Sequence, residues 1–275
     1  MKTRKIAQGI LALILILVAV FFIIPILYCV FTSVKTTQEI LQDVTFFPHK
    51  LPAENFEYVF ARGGKYLNYY WNSIVVTLVS VACTVVLASM AGYAFARLPY
   101  RGSNLLMTSI LFVLTFPLAA LLIPIYTMEY EIGILNSHIG LILPNIMVIL
   151  PFSIFIMRST FLGLPAELEE SAEIDGCGVF RSWLSIMLPL AKNGLIIIIV
   201  SGFYNVWGEY TLAKTLATKE AAMPISVALT LLKGEDWNFG VLGAAITMSI
   251  IPPIAVFVTF QKQLVAGMVA GAVKG

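Results

Sequence analysis

Five stretches of this chain run for 25 to 27 residues without an aspartate, glutamate, lysine or arginine: Ile6–Phe31, Asn72–Ala96, Gly102–Met128, Ile132–Met157 and Trp237–Gln261. A bilayer core of about 30 Å is crossed by about 20 mostly apolar helical residues, so each stretch is long enough to span it. A sixth, Asn193–Gly208, is shorter and continues past Glu209 to Ala213. Only helices or closed barrels satisfy their backbone groups in lipid, and runs of this length and composition are helical. The expected fold is an all-α integral membrane protein with six transmembrane helices.

Composition excludes the soluble alternatives. Of the 275 residues 59% are hydrophobic and 12% charged, with a mean hydropathy of +0.92. Soluble domains carry about 25% charged residues, and a domain of this size has too little interior to hide so much apolar surface. A formal net charge of +2 is no phosphate-seeking footprint, so no nucleic-acid partner is expected. Cys29 and Cys83 lie inside apolar runs and Cys177 in a polar loop. An odd count without zinc-like spacing reads as three free thiols, and no metal is expected.

Lys2, Arg4 and Lys5 precede the first run, but it is too long for a signal peptide and no small-x-small cleavage pattern follows. It is expected to remain as a membrane anchor. Six spans place both termini on one side. With that side cytoplasmic, ten of the 17 basic residues lie inside and ten of the 15 acidic ones outside, the sign of the positive-inside rule. The expected organisation is a cytoplasmic N-terminus and first helix (about 7–32) within 1–33, then an extracytoplasmic segment 34–70. A core of 71–262 follows, with helices at about 72–96, 104–127, 138–160, 194–213 and 239–261 and a cytoplasmic loop 161–193. A tail, 263–275, flexible by composition, closes the chain.

The helices are not plain anchors. Pro117, Pro124, Pro144, Pro151 and Pro252–Pro253 interrupt three of them, which is tolerated where neighbouring helices satisfy the freed carbonyls. Ala88, Gly92 and Ala96, four apart, form a small-residue ridge that admits a second backbone. No Walker A pattern occurs: Gly64–Lys65 is followed by Tyr66, and Val59 stands where the first glycine belongs. Nor is there a nucleophile elbow, an HExxH or a carboxylate pair within a span, so no catalytic residue is expected. His49 and His138 are isolated and receive no role.

The most informative segment is the loop between the fourth and fifth spans, PAELEESAEIDGCGVFRSWLSIMLPLA. Pro165 suits a first helical turn, and Glu167, Glu169 and Glu170 complement its positive end. Leu168 and Ala172, followed by Asp175–Gly176, describe a short amphipathic helix stopped by glycine. A second apolar helix runs through Trp183, Ile186 and Leu188 to Pro189. Such a surface helix fits a groove on another protein, or lies in the membrane interface.

The spacing resembles the EAA loop of ATP-binding-cassette importer permeases. It reads Glu170-x-Ala172, then Gly176 four residues on, nine residues, and Ile186-x-Leu188-Pro189, with Asp175 also fitting. Ser171 stands where alanine is usual and Trp183 where phenylalanine is. The resemblance runs from about Thr32 to Gly275 and narrows to carbohydrate permeases of the maltose and multiple-sugar type. It rests on NFEYVF at Asn55–Phe60, Asn72–Ser73 at the opening of the second helix and AGYAFARLPYRG at Ala91–Gly102. VWGEYTLA at Val206–Ala213, with Gly208 for the usual asparagine, and VAGMVAGAVKG at Val265–Gly275 extend it.

The resemblance implies the type I importer permease fold and a multi-pass subunit in a prokaryotic inner or plasma membrane, with both termini cytoplasmic. It implies a heterodimer with a homologous permease, two ATPase subunits that hold ATP-Mg, an extracytoplasmic solute-binding protein and a sugar substrate. The chain itself would carry no cofactor. Glu170, Ala172, Asp175, Gly176, Leu188 and Pro189 become the expected ATPase-coupling residues, and Pro165–Gly176 the coupling helix. Tyr204, Asn205, Trp207 and Glu209 have side chains suited to sugar faces and hydroxyls, although aromatic residues also mark the membrane interface. The polar loop from Lys214 to Asp236 lies where a binding protein would dock, and the Gly267–Gly275 tail is a second candidate contact with the ATPases. Two other classes stay open: an ion-coupled secondary transporter, for which Glu209 is the one in-span candidate, and a non-transporting membrane scaffold. Within the family, a polyol or glycerophosphodiester-type permease is the nearest alternative.

Overall fold

The computed structural model describes residues 2–42, 45–61, 65–98, 100–235 and 238–272, with 2–7, 233–235 and 264–272 described by their backbone. Among the described residues there is no strand. The elements are α1 (Lys2–Ser33), α2 (Thr37–Gln42), α3 (Glu54–Ala61), α4 (Lys65–Arg97), α5 (Ser103–Phe112), α6 (Leu118–Ile132) and α7 (His138–Leu162). The loop helices α8 (Glu167–Ile174), α9 (Val179–Ser182) and α10 (Leu188–Leu190) follow, then α11 (Lys192–Trp207), α12 (Thr211–Leu216), α13 (Ile225–Glu235) and α14 (Phe239–Ala272). Among the described residues four helices are individually long and apolar enough to cross a membrane, and two bent pairs raise the number to six when each counts as one span.

The helices depart from the expected bounds where hydropathy and hydrogen bonding measure different things. Lys65–Trp71 contains no proline or glycine, so α4 begins seven residues before Asn72. The third span is two helices bent by 98°, because Phe116 and Pro117 take extended backbone (ψ 128° at both) and a proline disfavours helix in the residue before it. The fifth ends at Trp207 rather than at 213, and α12 starts afresh at Thr211. The sixth continues to Ala272, so most of the expected flexible tail is helical; residues 273–275 lie outside the described residues.

Two compact units divide the chain: Met1–Leu67 with Ala228–Ile251, and Asn68–Val227 with Pro252–Gly275. In the first, α1 presents apolar side chains on every side from Ile10 to Tyr28, as a helix in lipid does. Its C-terminal end is held by Asn55, whose amide donates to Ser33 O at 3.0 Å and Lys35 O at 2.7 Å. A β-carbon on Gly240 would lie 2.6 Å from that amide, so a larger residue there would displace it.

In the second unit α7 packs on α4 and α11 through glycines. A β-carbon at Gly92 would stand 2.6 Å from Met157 Cβ and 2.8 Å from Arg158 N; one at Gly194 would stand 2.3 Å from Thr160 Oγ1. The Ala88–Gly92–Ala96 ridge thus admits α7. Tyr204 Oη donates to Pro253 O at 2.8 Å, within the proline-interrupted stretch of α14. At one end of this unit Tyr93, Met157, Phe161, Trp183, Met187, Ala191 and Ile198 form a buried cluster, so the loop 161–193 supplies part of the core.

Candidate functional site

The loop helix α8 is fixed at both ends. Its C-terminus is a Schellman motif: Gly176 N donates to Glu173 O at 2.9 Å and Cys177 N to Ala172 O at 2.9 Å. Gly176 has φ +78°, the left-handed conformation such a stop requires. At the N-terminus Glu169 turns inward. Its carboxylate accepts a hydrogen bond from Tyr93 Oη and pairs with Arg97, whose Nε is 3.1 Å away. Arg97 Nη2 also donates to Phe161 O at 2.9 Å and Leu164 O at 2.6 Å. One guanidinium in the last turn of α4 therefore holds the end of α7, the following turn and the first turn of α8.

The expected coupling residues fall on different faces. Glu170, Asp175 and Gly176 are exposed, together with Glu167 and Glu173, and Ile174 is 87% exposed. Ala172 is only 4% exposed and faces the body of this chain, so its small size permits close approach to the protein's own core. Leu188 packs at the edge of the buried cluster and Pro189 is exposed. Between α9 and α10 the expected second helix widens into a π-helical turn, Trp183–Met187, with Trp183 and Met187 buried. Such turns mark places where a helix accommodates an extra residue and recur at functional sites.

The four candidates near the end of α11 divide likewise. Tyr204 and Asn205 are exposed, Asn205 donating to Ser201 O one turn earlier. Trp207 is buried, stacked on Phe203 with centroids 5.6 Å apart and edge-on to Tyr70. Glu209 accepts from Leu212 N at 2.7 Å and Ala213 N at 2.9 Å, satisfying amides that the start of α12 leaves free. Beside it Ser73, Thr77, Asn145 and Pro224 line a cavity of about 10 Å³, room for about one water and far below a sugar site.

Sequence reasoning gave no role to a second polar cluster. Asn72 donates to Ala221 O and Met223 O, both at 3.0 Å, and its Oδ1 lies 2.8 Å from His138 Nε2. Ser73 Oγ accepts from Ile225 N, and Asn136 Oδ1 from Thr218 Oγ1 and Lys219 N. Together they pin the segment 217–225 to α4, about two turns from its N-terminal end, and to the start of α7. Among the described residues no group of histidine, cysteine, aspartate and glutamate could hold a metal ion.

The family model for binding-protein-dependent transport system inner membrane components matches residues 84–269. A sulfoquinovosyl glycerol transport system permease protein of Agrobacterium fabrum is 33% identical over 253 residues, 91% of this chain and 88% of that one. An arabinooligosaccharides transport system permease protein of Halalkalibacterium halodurans is 30% identical over 279 residues, 100% of this chain and 99% of that one. A trehalose transport system permease protein of Mycobacterium tuberculosis is 33% identical, covering 94% and 95%. Among solved structures, a chain of a bacterial ABC transporter involved in the import of the acidic polysaccharide alginate superposes with a TM-score of 0.85. It is 25% identical and covers 95% of this chain and 98% of that chain. With the type I importer permease fold and most of its length inside the family model, this chain belongs to the inner-membrane components of binding-protein-dependent transport systems.

Proposed function

We propose that this chain is the permease subunit of an ATP-driven importer for a sugar, specifically an oligosaccharide, and forms half of the translocation pathway. The relatives named above are permeases for a sugar glycerol, arabinooligosaccharides and trehalose, which supports a carbohydrate substrate. The family is described as binding-protein-dependent, which supports delivery by a solute-binding protein. A homologous permease completes the pathway, and two ATPase subunits bind ATP-Mg on the cytoplasmic side, where both termini lie.

The observation that carries the coupling role is the attachment of α8. A lever must be rigid and must present a face to its driver. Arg97 and Tyr93 join α8 to α4, and Glu167, Glu170, Glu173 and Ile174 point away from the chain. That outer face suits an ATPase groove with cationic walls and an apolar socket for Ile174. ATP-driven closure then moves α8, and α4 moves with it. Tyr204 and Asn205 face the partner permease across the pathway, while Trp207 and Glu209 shape the wall from behind. The 217–225 segment faces the binding protein. Affinity isolation of the chain in mild detergent tests this: a homologous permease and a P-loop ATPase co-purify, and the reconstituted complex takes up an oligosaccharide only with ATP. Uptake that ignores ATP and collapses with an ionophore would instead identify an ion-coupled transporter.

A further inference from the structure

We propose that the segment Thr45–Leu51 is an interfacial membrane anchor, seated in the headgroup layer at the C-terminal end of α1. The span of α1 covers 26 residues, Gln8–Ser33. At about 1.5 Å per residue it is about 39 Å long, against a hydrocarbon core of about 30 Å. Centred on that core, the helix extends about 4–5 Å beyond it at each end, which puts its last turn, with Phe31, in the interfacial layer and Tyr28 just beneath it. Phe46 lies 6.1 Å from Tyr28 and 5.4 Å from Phe31, and Phe47 lies 5.3 Å from Phe31. The segment thus continues the lipid-facing surface of α1 at the depth where aromatic rings partition.

Two buried charges hold it there. Lys35 donates to Thr45 O and sits 5.7 Å over the Tyr28 ring, and Glu39 accepts from His49 N at 2.7 Å. Both side chains are spent on the backbone of this segment and not on water. What the fixed backbone presents outward is Phe47, 68% exposed, and Leu51, 78% exposed. Lys50 is exposed beside them, placed for lipid phosphates. An apolar pair held rigid on the end of a spanning helix, with a cation alongside, fits the bilayer interface.

The test places a fluorophore on Phe47→Cys, with Cys29, Cys83 and Cys177 replaced by alanine. The complex isolated with the full chain is reconstituted in vesicles of phosphatidylethanolamine and phosphatidylglycerol. Leu51→Cys serves as a second site that leaves the ring cluster intact. Both labels are expected to emit blue-shifted and to lose more intensity to headgroup and upper-chain nitroxide lipids than to chain-end ones, with little loss to aqueous iodide. Two results overturn the proposal: quenching by iodide alone, which puts the segment in water, or protection from both quenchers, which puts it against another protein.

Discussion

Arg97 Nε, in the last turn of α4, stands 3.1 Å from Glu169 Oε2, in the first turn of α8. Tyr93, one turn back on α4, donates to the other carboxylate oxygen, and Arg97 Nη2 holds the carbonyls of Phe161 and Leu164. The loop helix is thereby attached to a membrane helix more than 60 residues earlier in the chain, independently of its own chain ends.

Arg97→Ala removes the ion pair and two charge-assisted hydrogen bonds, each worth about 1.5–3 kcal/mol where buried. The attachment of α8 weakens by at least about 2 kcal/mol. Uptake falls at least about tenfold while membrane abundance is kept. Tyr93→Phe loses one hydroxyl donor and costs less, about 1 kcal/mol. Uptake and ATP hydrolysis measured on the same reconstituted complexes check this: hydrolysis persists in Arg97→Ala while uptake falls.

The long apolar runs and the glycine stop at Gly176 were legible because each depends on a local rule, hydrophobic length or left-handed φ. Arg97 and Tyr93 sit four apart, a spacing that puts both on one helical face, but nothing local says that Glu169 meets them from across the bundle. The inward turn of Ala172 and Glu169 beside the outward turn of Glu170 has the same origin. A short helix with acids all along its first turn does not reveal which face its own core claims. The break after Trp207 was hidden because VWGEY lacks proline, and what ends the helix is Glu209 starting a new one.

Gly176→Ala places a β-carbon at φ +78°, at a cost of about 1–2 kcal/mol. It frays the C-terminus of α8 and lowers uptake moderately. Gly176→Pro cannot adopt that φ and also loses the N–H bonded to Glu173 O, so uptake is abolished. Ala172→Trp forces α8 off the core it packs against and gives the same phenotype. Normal sugar uptake by either of the last two variants contradicts the coupling role.

Gly92→Ala brings a methyl to 2.6 Å from Met157 Cβ and 2.8 Å from a backbone nitrogen, neither of which can move freely. Overpacking of this kind costs about 1–3 kcal/mol. The thermal midpoint of the purified complex falls, whereas Gly9→Ala, with nothing near its β-carbon, leaves it unchanged.

Glu209→Ala strips the acceptor from the amides of Leu212 and Ala213 and destabilises α12 by about 1–2 kcal/mol. Asparagine or glutamine at 209 restores part of it. A thermal-stability series separates this capping role from a sugar contact, which instead shows as a changed transport KM at unchanged stability.

The most direct test is a cross-link from the outward face of α8. Glu170→Cys, in the chain freed of its three native cysteines, is treated with a short bifunctional reagent in native membranes, with and without ATP. The predicted result is one adduct with a P-loop ATPase whose yield changes with nucleotide. Adducts with lipid alone, or none while the ATPase is present in the same membranes, would contradict the assignment of α8 as the coupling helix.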